Sequence, residues 1–236
     1  MASKEPLILI GSRREMSFFT DTAEQLGIEV LGILDQYYHG NTDAVDGVPI
    51  IGNELDLIDN PKLYKDTRFM LANTWDGNTQ FGNLTHDGYH LRQQRLELIN
   101  KLRLPLHTLI DPRAIVGKSV EVGPGSYIAP MVNIRSKTRI GSNVFIHDNA
   151  MLAHDIDIGD GTVLAPDCTI LGGVKIGTNV YVGSRACVLN GHSTKQPFVS
   201  IGDNSKIHAG ALVQKDLPAN SIATFNGRVM KRPDIK

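Results

Sequence analysis

From residue 110 onward an aliphatic side chain returns at every sixth position: Ile110, Val116, Val122, Ile128, Ile134, Ile140, Ile146, Leu152, Ile158, Leu164, Ile170, Ile176, Val182 and Val188. Four residues after each beat the side chain is small or β-branched, as at Ala114, Ser126, Val132, Thr138, Ile156, Thr162 and Ala186. Gly, Asn, Asp and Pro, the residues of tight corners, fill the intervals. The beat stops over LNGHSTKQPFVS and resumes at Ile201, Ile207 and Val213. A period of six fits neither a helix of 3.6 residues per turn nor a flat strand that alternates by two. It fits a solenoid in which three six-residue units close a coil of 18 residues, and stacked coils pair their backbones around an aliphatic interior. The spacing sets no handedness.

Residues one coil apart can therefore be placed above one another by adding 18. His154 follows Leu152 by two and sits at a corner, in the column Ser136, His154, Gly172, Asn190. Asp155 heads the next column position, with Lys137 below it and Gly173 and Gly191 above. Two bare glycines in the coil above an imidazole leave room for a ligand and open access to main-chain amides. Histidine is the side chain suited to proton exchange near neutral pH. On geometry alone, a solvated corner histidine beside turn glycines remains an equal reading.

Other chemistries fit less well. A zinc site needs imidazoles that converge, but His147 and His154 are seven residues apart and fall at different corner positions, while His192 and His208 lie in or beyond the interruption. No metal is expected. Cys168 falls at an inward position, and Cys187 points the other way with no histidine in its column, so neither reads as a nucleophile. The two cysteines make no disulfide framework. With 24 Lys+Arg against 25 Asp+Glu, the charge gives no reason to expect nucleic acid or an acidic membrane as partner. No apolar run approaches the roughly 18 residues of a membrane span, and the start MASKEPLILIGS carries no cleavage-type region, so a cytoplasmic location is expected.

The first hundred residues follow another rule. PLILIG reads as a buried strand ending at Gly11-Ser12, then an amphipathic helix from about Glu15 to Leu26, then a second strand from about Glu29 to Leu34 ending at Asp35. This is a βαβ opening. A third strand at about Arg68 to Ala72 and a helix at about Leu91 to Leu102 complete a small domain, with the segment 76–90 as an insertion. The chain thus divides into residues 1–105 and 106–236.

The run HDIDIGDGTVLAPDCTILGGVKIGTNVYVGSRACVLNG, followed by IGDNSKIHAGALVQKDLPANS, resembles the left-handed β-helix (hexapeptide-repeat) acyltransferases. Within them it is similar to the subgroup that acetylates sialic acids or nucleotide-linked amino sugars. The resemblance implies an α/β plus all-β solenoid architecture, with a small Rossmann-like N-terminal domain followed by a left-handed parallel β-helix. It implies an acetyl-CoA-dependent N-acetyltransferase of glycan biosynthesis, acting as a homotrimer on the amino group of a nucleotide-linked sugar. His154 would be the general base and Asp155 its orienting partner. The coenzyme would run past Ala165, Gly172, Gly173 and Gly183, with an amide near Gly172 as oxyanion donor. The nucleotide would be held by Gly11, Ser12, Arg13 and Asp35. The turn GSRREM is poorer in glycine than the subgroup's usual first turn, and its arginines serve a phosphate or solvent equally well. O-acetylation of a sialic acid, or a noncatalytic trimeric sugar-binding scaffold, are the alternatives. The column Tyr127, Phe145, Val163, Tyr181 reads as an exposed apolar stripe that self-association would cover.

Overall fold

The computed structural model describes residues 5–12, 16–36, 40, 43–60, 62–72, 87–190 and 199–231. Its contacts divide the chain into two units, Met1–Leu109 and Ile110–Lys236. Among the described residues no helix is long and apolar enough to cross a membrane.

In the first unit, β1 (Leu7–Ile10), α1 (Ser17–Gln25), β2 (Val30–Leu34), the hairpin β3 (Ala44–Val45) and β4 (Val48–Gly52), the short α2 (Asp56–Asp59), β5 (Arg68–Leu71) and α3 (Asp87–Leu102) follow in order. The sheet runs β3-β4-β2-β1-β5, parallel except for the hairpin pair. Strand order reverses at β1, which is the switch point of half a doubly wound sheet. Every residue of β1 is buried because both of its faces are covered. Ile8 and Ile10 pack with Phe69, Leu71, Leu96 and Ile99 in one core. Leu7 and Leu9 point the other way and are equally buried, while α1 turns Phe19, Thr22 and Ala23 inward.

The sequence reading located β1, α1, β2, β5 and α3 but passed over the hairpin and α2. Its signal was Asp46-Gly47 between Val45 and Val48. Both residues have positive φ, 50° and 79°, as a two-residue hairpin turn of the favoured hand requires. α3 begins at Asp87, inside the segment read as an insertion; residues 76–86 lie outside the described residues.

The second unit is a parallel β-helix with three faces. The first carries Ile115–Val116, Asn133–Ile134, Met151–Leu152, Thr169–Ile170, Cys187–Val188 and Leu212–Val213. The second runs from Glu121–Val122 to Val199–Ile201, and the third from Leu109–Ile110 to Ser221–Ala223. As far as Val188, each strand pairs in parallel with the one 18 residues before it, Met151 with Asn133 and Thr169 with Met151. Across the interruption the step becomes 25, Cys187 pairing with Leu212. The beat residues fill the interior: Ile128, Ile146, Leu152, Leu164, Ile170, Val182 and Val188 are fully buried. Inward hydroxyls are satisfied by the main chain, Ser126 Oγ and Thr162 Oγ1 each donating to a carbonyl and accepting from an amide. That removes the penalty of a buried polar group.

Corners recur with the same period. Residues 125, 131, 137, 143, 149, 155, 161, 167, 173, 179 and 185 all have positive φ, and most are Gly, Asn or Asp. These are the residues for which the left-handed conformation costs least. The apolar stripe requires correction: Tyr127, Phe145 and Val163 are buried within the single chain. The rings of Tyr127 and Phe145 stand 4.8 Å apart, and that of Phe145 stands 4.4 Å from His147. These three of its four residues are already shielded from water, so self-association is not what covers them.

Candidate active site

His154 and Asp155 lie on the turn that carries the chain from the first face to the second. Asp155 takes the left-handed position, φ 56°, and its amide donates to Ser136 O in the coil below. In this conformation the carboxylate reaches back to its neighbour, and His154 Nδ1 is 2.7 Å from Asp155 Oδ2. Lys137 Nζ stands 3.9 Å from the other carboxylate oxygen. The pair is open to solvent, with the imidazole 63% exposed. With Nδ1 held by Asp155, Nε2 is the nitrogen available to an incoming proton donor.

The coil above explains the glycines. A Cβ on Gly172 would lie 2.9 Å from His154 Cε1 and 3.1 Å from Nε2, so the imidazole occupies space that any side chain there would claim. Gly173 takes the left-handed position, φ 68°, and its amide is committed to His154 O at 3.1 Å. The amide of Gly173 is therefore taken and is not free for an oxyanion.

The four residues expected along the coenzyme fall into two groups. Gly172 and Gly173 share the His154 corner. Ala165 and Gly183 lie one corner away, on the turns from the third face to the first, and both their amides belong to the ladder, bonded to Val182 O and Ile207 O. A Cβ on Gly183 would lie 2.5 Å from Ala209 N, so glycine is required there by the stacking of coils. One edge of a single prism does not carry all four. The edge that carries His154 continues past Gly172 and Asn190 to Lys215, by the register that pairs Val188 with Val213. There the chain opens a cavity of about 420 Å³, lined by Val213, Lys215, Leu217, Thr224 and Val229 among others. Three coil spacings separate it from His154, about 14 Å.

Neither cysteine is held as a thiolate. Burial pushes the Cys168 thiol up to about 12 and also raises Cys187, so both hold their protons at neutral pH. Among the described residues no group of three or more His, Cys, Asp or Glu side chains converges as metal ligands would.

In the first unit, Gly11 ends β1 with its amide on Leu34 O. Ser12 donates both its amide and its hydroxyl to Asp35 Oδ2, each at 2.8 Å. Structure thus brings Ser12 and Asp35 together, while Arg13 lies outside the described residues. Three residues were missed. Asp46, on the hairpin turn, accepts from the amides of Met16 and Ser17 at 2.8 and 3.2 Å, and so caps α1, whose own sequence supplies no cap. Glu54 and Arg95 form a buried ion pair at 2.7 Å. A signal for Arg95 existed: with Arg92, Leu96 and Ile99 it recurs at the spacing of an apolar helix face, where arginine is out of place.

Residues 137–172 and 158–190 match the model of the bacterial transferase hexapeptide family. No curated protein matches the chain in sequence. Among solved structures, a mutant of GDP-perosamine N-acetyl transferase from Caulobacter crescentus, in complex with CoA and GDP-perosamine, is 26% identical, with TM-score 0.78, over 95% of this chain and 96% of that one. Residues 137–190 thus carry the repeat of the hexapeptide transferases, and the fold of the whole chain is that of an acetyltransferase built on it. Two further structures share the fold: the acetyltransferase domain of PglB from Neisseria gonorrhoeae, in complex with acetyl coenzyme A, is 23% identical, with TM-score 0.75, covering 97% of this chain and 99% of that chain. WeeI from Acinetobacter baumannii is 22% identical, with TM-score 0.76, covering 95% and 99%. The β-helix is accordingly the left-handed form, and the histidine corner lies inside the segment matched by the family model.

Proposed function

We propose that this acyltransferase moves the acetyl group of acetyl-CoA to the amino group of a nucleotide-linked amino sugar. One observation carries the reading: an accessible imidazole, oriented by a carboxylate at 2.7 Å, lies against a bare glycine on an edge that leads to a cavity. The GDP-perosamine N-acetyl transferase, similar over nearly the whole chain, supports the choice of acceptor.

The amine nitrogen bonds to the thioester carbonyl carbon as His154 Nε2 takes its proton, and Asp155 stabilises the imidazolium through Nδ1. The amide of Gly172 receives the oxyanion. The C–S bond then breaks, and coenzyme A leaves as the free thiol with that proton. No acyl-enzyme forms. Extended along the His154 edge, the coenzyme reaches the cavity beside Lys215, whose ammonium suits a phosphate. Gly11, Ser12, Arg13 and Asp35 hold the nucleotide. Residues 1–105 are the nucleotide-sugar domain and 106–236 the transferase domain of a cytoplasmic homotrimer, in which Ala165 and Gly183 of one copy approach coenzyme on the edge of the next.

Thiol release from acetyl-CoA with nucleotide-linked amines and with free sialic acid tests the reading. Release with an amine is expected. Release only with the sialic acid hydroxyl, or with no acceptor, overturns it.

A further inference from the structure

Arg95 takes no part in the chemistry above, yet it is one of the largest fully buried side chains in the chain. It leaves α3 on the same stripe as Leu96 and Ile99, which enter the core. Its guanidinium lies between two carboxylates: Nε donates to Glu54 Oε1 at 2.7 Å, and Nη2 stands 3.2 Å from Asp35 Oδ2. Each carboxylate holds main chain in turn. Glu54 Oε2 accepts from the Gln36 amide at 2.6 Å, and Asp35 Oδ2 accepts from the amide and hydroxyl of Ser12. One cation therefore fixes the residues just beyond β1, β2 and β4. Arg95, Asp35 and Glu54 are each at most 2% exposed.

These strand ends form the side of the sheet on which doubly wound folds bind ligands. For stability alone, apolar side chains of similar volume would serve as well or better than a buried ion group. What they cannot do is hold a carboxylate, a hydroxyl and an amide in fixed orientation. We propose that Arg95 is a positioning residue for the nucleotide part of the substrate: by pinning Asp35, and through it Ser12, it sets the ends of β1 and β2 in the geometry that receives a nucleoside diphosphate. This rests on the nucleotide-linked acceptor proposed above. It also accounts for the serine at position 12, because its hydroxyl is turned back onto Asp35.

The test uses the full chain and isothermal titration with GDP, UDP, dTDP and CMP, and separately with CoA. Arg95→Lys keeps the charge but not the two-sided fork. Arg95→Met with Glu54→Gln removes one charge of each sign, so the net charge of the buried set is unchanged. The double variant is expected to weaken the nucleotide that wild type prefers by about tenfold or more while CoA affinity stays within about twofold, and Arg95→Lys should fall between. A folded double variant with unchanged nucleotide affinity overturns the proposal, as does an equal loss for nucleotide and CoA. If neither variant folds, Ser12→Ala decides: it removes one donor to Asp35 and no charge, and unchanged nucleotide affinity there overturns the proposal. A wild-type chain that binds none of the four nucleotides overturns the acceptor reading itself, and this proposal with it.

Discussion

His154 is useful to an acyl transfer only if its ring is held and its outer nitrogen is free, and single substitutions separate those two conditions. His154→Ala should lower kcat by about 10² to 10⁴ fold with the coils intact, since the imidazole makes no contact on which stacking depends. Asp155→Asn should cost less, because it acts through the ring. Gly172→Ala supplies the sharper test. Its Cβ would enter the space at 2.9 Å from Cε1, so the imidazole must swing away while the backbone, already compatible with a side chain at that position, stays in register. Circular dichroism should be unchanged and kcat reduced by at least about tenfold. A normal rate in Gly172→Ala would mean that the ring orientation seen beside Asp155 is not the one used in catalysis.

At the scale of the element, the coils obey two steric rules that act in opposite directions. After the second face, glycine recurs at 123, 141, 159, 177 and 202, and a Cβ on Gly159 would lie 2.6 Å from the backbone of Gly177. Gly159→Ala should destabilise the β-helix by about 1–3 kcal/mol, read by urea unfolding, because backbone rather than a yielding side chain must move. At the left-handed corners the rule is conformational, and Met131, with φ 61° and 63% exposure, breaks it. Met131→Asn should stabilise the β-helix by about 1 kcal/mol in the same assay. The solenoid was legible in the sequence because every coil repeats the same environment, so each of the beats from Ile110 to Val188 reports independently on one pattern. His154 became legible with it, since its neighbours follow by adding a constant. Nothing repeats in the first unit. There β3 spans two residues, too few for alternation to register, and Asp35 meets Arg95 only because α3 packs on the sheet. That pairing is tertiary: the sequence marks Arg95 as a cation on an apolar helix face and Asp35 as the end of β2, but not that the two meet.

For the whole molecule, the homotrimer proposed above turns on which face a second copy would cover. On the second face the outward column is Glu121, Arg139, Asp157, Lys175 and Ser200, a charged ladder in which Arg139 and Asp157 pair at 2.8 Å. On the first face it is Ile115, Asn133, Met151, Thr169, Cys187 and Leu212, without a charge, and Ile115 and Leu212 are 64% and 49% exposed. Depletion of charge is the compositional mark of an interface core. If three prisms meet through the first face, the histidine corner at its edge comes to lie beside a neighbouring copy, where Ala165 and Gly183 of that copy can complete the coenzyme site. Light scattering should then give three times the chain mass. Thr169→Arg, at the centre of the uncharged column, should yield monomers and abolish thiol release together, while Lys175→Glu on the charged face should alter neither. Monomers of Thr169→Arg that still release thiol at the wild-type rate would show that each chain carries a complete site, and a wild-type monomer would remove the interface altogether.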